Sequence, residues 1–110
     1  MAKAEFWQRG EALDYTNATA ETIPNNTIVK IGTRLGVTGC AIEPGQKGSL
    51  HVGGVWEVAK TSTKAIAMGT TVYFDGTGMT ETNAEGSVEA GFAAADAAAS
   101  DTTMYVKLCG

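Results

Sequence analysis

Hydrophobic and polar residues alternate along most of the chain, and this period of two is typical of β-strands buried on one face. The longest alternating run covers residues 49–59, where Leu50, Val52, Trp56 and Val58 share one face. Gly53-Gly54 lies in the middle of this run, and glycine tolerates the backbone angles of bulges and sharp bends. The pattern therefore predicts one long, half-buried strand with a bend at the two glycines.

Shorter alternating segments predict further strands, and turn-forming residues separate them. The predicted strands cover residues 27–31, 70–74, 91–93 and 103–108, which are rich in Val, Thr and aromatic residues. Pro44-Gly45 suits a type II turn, and Asp75-Gly76 suits a hairpin. Two stretches, 61–67 and 93–99, have helical character, although we expect a loop or a single turn after Ala93. The predicted fold class is mainly β, a small compact β-barrel, β-clip-like or sandwich domain with little helix.

The chain of 110 residues is short enough to form a single domain. Residues 1–26 have weak periodicity and several turn formers, so we expect an extended N-terminal arm that gains order against a partner. Residues 27–110 then form the β domain, and no fixed-period repeat is visible in the sequence. No core periodicity accounts for Phe6-Trp7, and exposed aromatic residues of this kind often anchor protein contacts.

Composition excludes several classes of protein. A net charge of −4 with scattered basic residues argues against a general nucleic-acid binder. No apolar run approaches the roughly 18 residues of a membrane span, and the first ten residues lack the apolar core of a signal peptide. Cys40 and Cys109 form no Cys-x-x-Cys pair, so we expect two partly buried thiols and synthesis in a reducing cytosol.

Candidate chemistry is sparse along the chain. His51 is the single histidine, and no Gly-x-Ser-x-Gly elbow accompanies it. The glycines do not form a nucleotide-binding loop, and the Asp75 turn lacks the acidic residues of a calcium loop. We therefore expect no catalytic residue, no metal and no cofactor. An enzyme or a sugar-binding module would have to use Trp56 and His51, and would need a pocket beside them.

Several blocks, taken in their order along the chain, carry a resemblance. They are Asp14-Tyr15-Thr16, Ile28-Val29-Lys30-Ile31-Gly32, Gly54-Val55-Trp56-Glu57-Val58-Ala59-Lys60, Gly69-Thr70-Thr71-Val72-Tyr73-Phe74-Asp75, Gly91-Phe92-Ala93-Ala94 and Thr103-Met104-Tyr105-Val106-Lys107-Leu108. In content and spacing they resemble the capsid cement family, the small head-decoration proteins of tailed bacteriophages. Each block alone is ordinary strand sequence, and the resemblance covers nearly the whole chain.

The resemblance implies a structural, non-enzymatic virion protein. Such proteins bind the outer capsid surface at junctions between major capsid subunits, commonly as trimers and sometimes as dimers. On this basis the expected capsid contacts are Phe6, Trp7, Arg9 and Tyr15, and the expected self-association residues are His51, Val55 and Tyr105. The expected partners are the major capsid protein and other copies of the chain, with no nucleic acid and no membrane. The alternatives are a low-copy virion subunit of a tail, spike or head-completion complex, or a small non-catalytic β binding module.

Overall fold

Two antiparallel β-sheets form the architecture, as seen in a computed structural model that describes residues 2–5 and 10–108. The described strands are β1 (Ala12–Thr16), β2 (Ile28–Ile31), β3 (Arg34–Thr38), β4 (Lys47–His51), β5 (Val55–Ala59), β6 (Thr71–Phe74), β7 (Met79–Thr80), β8 (Val88–Ala93) and β9 (Thr103–Leu108). The first sheet has the order β1-β4-β3-β2, and the second has the order β5-β9-β8-β6-β7. The described residues contain no helix. The mainly β prediction is confirmed, in the form of a sandwich-like pair of sheets and not a closed barrel.

The long strand predicted over residues 49–59 is two strands in two different sheets. Lys47–His51 belongs to the first sheet and Val55–Ala59 to the second. The predicted bend at Gly53-Gly54 is confirmed, because Gly54 has a φ of +90° and the chain crosses between the sheets there. Alternation persists on both sides of the bend, where Leu50 and Val52 are buried and Val55 is exposed. The alternation of buried and exposed residues continues from one sheet into the next. It therefore could not reveal that residues 47–51 and 55–59 pair with different strands.

Both predicted turns are present. The N–H of Gln46 donates to the carbonyl of Glu43 at 2.9 Å, and Gly45 has a φ of +78°, as the third residue of a type II turn requires. In the β6–β7 hairpin, the Asp75 carboxylate accepts the N–H groups of Thr77 and Gly78, both at 2.9 Å. Side-chain hydrogen bonds of this kind fix a turn without any tertiary contact.

Neither stretch with helical character forms a helix, and the loop expected after Ala93 is present. Ile66 and Ala97, one from each stretch, instead form an antiparallel bridge with reciprocal N–H to carbonyl bonds of 2.9 and 2.8 Å. Both side chains are buried in the core. Short helices are marginal in water, and here the burial of one residue from each stretch determines the backbone conformation.

The main core lies between the two sheets. Its buried members are Leu35, Val37, Ile66, Val72, Met79, Val88, Ala90, Ala93, Ala97, Met104, Val106 and Leu108, with Ile28, Trp56, Val58 and Phe74 partly buried against them. Leu35 and Val37 come from β3 of the first sheet, and most of the others come from the second. Ile42 and Leu50 are also buried, but they lie outside this cluster, on the other side of the first sheet. The sheets are therefore joined through one face of the first sheet and one face of the second.

The second sheet repeats the topology and the register of the first. The β1–β4 ladder of the first sheet begins with the pair Ala12 and His51, and the β5–β9 ladder of the second begins with the pair Val55 and Lys107. The following pairs of the two ladders correspond one to one. The pairing of β2 with β3 is matched by that of β6 with β8 at Thr71 and Val72, after which a bulge shifts the second ladder. Residues 11–29 thus correspond to 54–72, residues 36–42 to 91–97, and residues 46–52 to 102–108. The hairpin around β7 is the principal insertion in the second half.

Hydrogen bonds outside the ladders obey the same correspondence. The bridge between Ile23 and Ile42 has bonds of 2.9 and 2.8 Å, as its counterpart between Ile66 and Ala97 does. The N–H of Asn17 donates to Gln46, and that of Lys60 donates to Thr102, each at 2.9 Å. Few side chains are shared: the identical pairs are Ile23 with Ile66, Thr27 with Thr70, Val29 with Val72 and Gly36 with Gly91. The repeat is therefore carried by backbone geometry, which explains why no period is visible in the sequence.

The N-terminal segment contributes an edge strand within the described residues. Ala12–Thr16 pairs with β4 along its whole length, and Asn17, which follows it, is fully buried. Residues 2–5 are exposed. The division of the chain into an arm over 1–26 and a β domain over 27–110 stays a prediction, to which the structure adds this paired strand.

Candidate functional site

The sheet junction is the place where the candidate chemical residues meet. The His51 and Trp56 rings lie with centroids 5.7 Å apart and planes tilted by 47°. The Trp56 Nε1–H donates to the carbonyl of Gly53 at 2.8 Å, which fixes the indole across the bend. Trp56 is half-buried against the core, as the alternation predicts. His51 and Trp56 thus form a packing contact that links the two sheets.

A cleft of about 430 Å³ lies beside this junction. Its lining residues are Asn26, Ile28, Val37, Trp56, Glu57, Val58, Ala59 and Thr77. Glu57 is the single ionisable side chain among them, and His51 is not part of the lining. In the described part of the chain, no group of His, Cys, Asp and Glu side chains is arranged to hold a metal ion. The same residues contain no helix long and apolar enough to cross a membrane.

Two carboxylates have lowered pKa values, and both lie near the β7 hairpin. The Thr61 hydroxyl donates to Asp75 at 2.6 Å, and this bond, with the N–H of Gly78, lowers the pKa of Asp75 below its ordinary value of 3.8. A hydrogen bond from Ser62 lowers the pKa of Glu81, and the charges of Lys64 and Lys60 add to that effect. Donors that favour the ionised form cause both shifts. Asp75 thus ties the hairpin to Thr61.

The outer face of the second sheet carries an exposed apolar patch. A continuous row crosses this face, in which Val55 pairs with Lys107, Lys107 with Phe92, and Phe92 with Thr71. Tyr105 lies two residues before Lys107 and therefore points the same way. Val55 is 56% exposed, Tyr105 50% and Phe92 38%. We call the surface formed by Val55, Thr71, Phe92, Tyr105 and Lys107 the outer face.

Comparison with known families decides the identity of the chain. A sequence profile of the family described as phage cement protein matches residues 7–108. The chain belongs to the phage cement protein family. The match spans both halves of the repeat. Comparisons with curated proteins and with solved structures find no match.

Membership confirms the resemblance found in the sequence and gives the protein a structural role associated with the phage capsid. A structural protein of this kind makes contacts through its surfaces. For this family the informative features are accordingly the outer face, the edges of the sheets and the N-terminal segment.

The predicted contact residues fall in three different places. Val55 and Tyr105 are exposed neighbours on the outer face, whereas His51 is half-buried against Trp56 on the other sheet. The structure therefore brings together two of the three residues predicted for self-association. Tyr15 is half-buried on edge strand β1. Phe6, Trp7 and Arg9 lie outside the described residues, and the predicted capsid contacts stay predictions.

Phe92 and Leu13 are exposed residues that the sequence pattern does not single out. Phe92 lies between Gly91 and Ala93, both of them buried, in a run that predicts only a strand. The available signal was alternation, because small residues on both sides of a Phe indicate that the Phe occupies the opposite face. The expectation for Cys40 is also corrected, since it is exposed; Cys109 lies outside the described residues.

Proposed function

We propose that the protein binds the outer surface of the phage capsid and cements contacts between major capsid protein subunits. The observation that carries this proposal is the family match over residues 7–108. The exposed apolar patch on a chain with two packed sheets supports it, because apolar surface rimmed by polar residues marks contact sites. Many modest contacts repeated over a symmetric shell give high avidity without any single strong site.

The N-terminal segment supplies the proposed capsid contact, through Phe6, Trp7, Arg9 and Tyr15. Three of these residues precede β1 in the sequence. A segment that orders on binding can cover a large surface at a cost in conformational entropy. The outer face, with Val55 and Tyr105, supplies the proposed contact with other copies, as a trimer or alternatively as a dimer.

The remaining parts of the proposal concern class and location. We propose a non-catalytic protein with no nucleic-acid partner, which the net charge of −4 supports, since phosphate contacts need clustered basic residues. The protein would be synthesised in the bacterial cytoplasm and carried on the outside of the virion.

Cosedimentation with purified shells that lack this protein tests the function. The full chain should cosediment, and cryo-electron microscopy of the mixture should show density on the outer surface at regular junctions between capsid subunits. A folded chain that fails to bind mature shells of its own phage would contradict the cement function. Density confined to a few sites per particle would favour the low-copy virion subunit instead.

A deletion of residues 2–10 tests the N-terminal contact separately. The deletion stops before β1, so the shortened chain should keep the circular dichroism spectrum and unfolding midpoint of the full chain while losing shell binding. The substitution Met68→Glu is a matched control, because Met68 is 66% exposed and lies far along the chain from this segment. Undiminished shell binding by the deletion variant would exclude the N-terminal contact.

A further inference from the structure

The internal repeat assigns a partner to one face of each sheet. In the first sheet, Ile28, Val37 and His51 point to the same side, because Ile28 pairs with Val37 and Val37 with His51. We call this side the packed face. It meets the second sheet at Trp56 and Val58: Ile28 and Val37 line the cleft with them, and the His51 ring contacts Trp56. The packed face of the first half thus lies against the side of the second sheet that carries Trp56 and Val58, which we call the Trp56 side.

The counterpart of the packed face in the second half is the outer face. By the matched registers, Ile28, Val37 and His51 correspond to Thr71, Phe92 and Lys107. Val37 is 5% exposed, whereas Phe92 is 38% exposed. The same position of the repeat is thus covered in the first half and open in the second.

The counterpart of the Trp56 side lies on the first sheet. Leu13 corresponds to Trp56 and Tyr15 to Val58, because Leu13 pairs with Leu50 as Trp56 pairs with Val106. We call this surface the Leu13 face. Leu13 is 36% exposed, and its position is the one that a packed face covers in the second half. Each chain therefore carries two different, partly exposed faces that correspond to the two sides of its internal junction.

The exposed large hydrophobic residues support this correspondence. In the described part of the chain they are Leu13, Val55, Met68, Phe92 and Tyr105. All of them except Met68 lie on the Leu13 face or the outer face. If a second molecule forms the same junction again, the surfaces that correspond to the two sides of the internal junction must carry exposed apolar side chains, and these surfaces do.

We infer that the outer face of one copy of this chain docks on the Leu13 face of a second copy, repeating between chains the junction that joins the two halves within one chain. The contact is head-to-tail, since different surfaces meet, and such contacts generate rings when the rotation closes. Under this inference Tyr15 contacts the second copy, and the proposed capsid contact is left to Phe6, Trp7 and Arg9. The inference rests on the self-association part of the proposed function and is independent of capsid binding.

Two complementary variants test the inference in solution. Phe92→Glu places a charge on the outer face and leaves the Leu13 face intact, and Leu13→Glu does the reverse. Met68→Glu adds the same charge outside both faces. Mass is measured by sedimentation equilibrium over micromolar to millimolar concentrations, and circular dichroism confirms that each variant is folded. The second substitutions Tyr105→Glu and Tyr15→Glu repeat the test on each face if either first variant fails to fold.

Wild type and Met68→Glu should form the same closed oligomer, and each single-face variant should associate at least about 30-fold more weakly. An equimolar mixture of Phe92→Glu and Leu13→Glu should form a one-to-one dimer that cannot grow, because only one pair of intact faces remains. A monomeric wild type at every concentration would overturn the inference. A Leu13→Glu variant that still dimerises, through two outer faces, would also overturn it. If the chain is always monomeric and Phe92→Glu loses shell binding, the outer face contacts the capsid and the inference is likewise overturned. Oligomers that form without binding shells would contradict the cement function alone.

Discussion

The buried side chain of Asn17 offers the sharpest test of how the strands are held by the loops. Its Nδ2 donates to the carbonyls of Glu21 at 2.7 Å and Ile42 at 2.8 Å. Its Oδ1 accepts the N–H of Thr19 at 2.8 Å and the Thr19 hydroxyl at 2.6 Å. Asn17 is fully buried, so these four bonds tie the end of β1 to the bridge that closes the first sheet.

The substitution Asn17→Ala removes all four bonds. The Ile42 carbonyl keeps its bond from the Ile23 N–H at 2.9 Å, and the Thr19 hydroxyl lies 2.9 Å from the Glu21 carbonyl and can donate to it. No acceptor is therefore orphaned, and the lost bonds determine the cost. Each is worth about 0.5–1.5 kcal/mol, and water can replace those of the exposed Thr19. The two bonds to backbone carbonyls remain uncompensated, so we expect the free energy of unfolding to fall by about 1–3 kcal/mol. This lowers the midpoint by roughly 4–12 °C in a domain of this size.

Chemical and thermal unfolding at one fixed protein concentration measure the effect, because association would shift the midpoint. Asn17→Asp should lose at least as much as Asn17→Ala, since a carboxylate would face two carbonyls. Asn83→Ala is the matched control, because Asn83 is exposed and surface changes usually stay within about 0.5 kcal/mol. A loss below about 0.5 kcal/mol for Asn17→Ala would refute the role assigned to these bonds.

Two further predictions concern packing and pH. Gly36→Ala should lower the free energy of unfolding by about 1–3 kcal/mol, because the added methyl group would lie 2.5 Å from Cγ of buried Leu50. Gly53→Ala is the control, since the space around Gly53 is open. Equal thermal unfolding midpoints for the two variants would contradict the reasoning. The lowered pKa of Asp75 adds stability that is fully present above its unfolded pKa of 3.8 and is lost as pH falls through the lower folded pKa. The midpoint of wild type should thus exceed that of Asp75→Asn most at neutral pH, and the difference should shrink as the pH falls below about 5. A difference that stays constant with pH would exclude this contribution of Asp75.

Local chemistry accounts for the parts of the fold that the sequence predicted. The alternation over residues 103–108 became β9 with Met104, Val106 and Leu108 buried, because strand faces are set by the two-residue period. The Pro44-Gly45 turn needed only residues adjacent in sequence. For the candidate site, the sequence identified Val55 and Tyr105 as surface residues for the same reason. Family membership was also accessible from the sequence, through the order of its strand blocks.

Long-range pairing accounts for the parts that the sequence did not reveal. His51 and Val55 belong to one alternating run, yet they lie in different sheets and serve different contacts, because alternation says which face a residue occupies and not which strand it pairs with. Ile66 and Ala97 lie in stretches with helical character, yet they form a bridge because the core buries them both.

The sequence by itself determined the β class, the turns, the alternating faces and the cement family. Only the tertiary structure decided that Val37 is buried and Phe92 exposed at the same position of a repeat. The physical reason is that the repeat resides in hydrogen-bond registers, which tolerate almost any side chain. Burial at a repeat position depends on whether another half is seated on it, and that is a property of the assembled sheets.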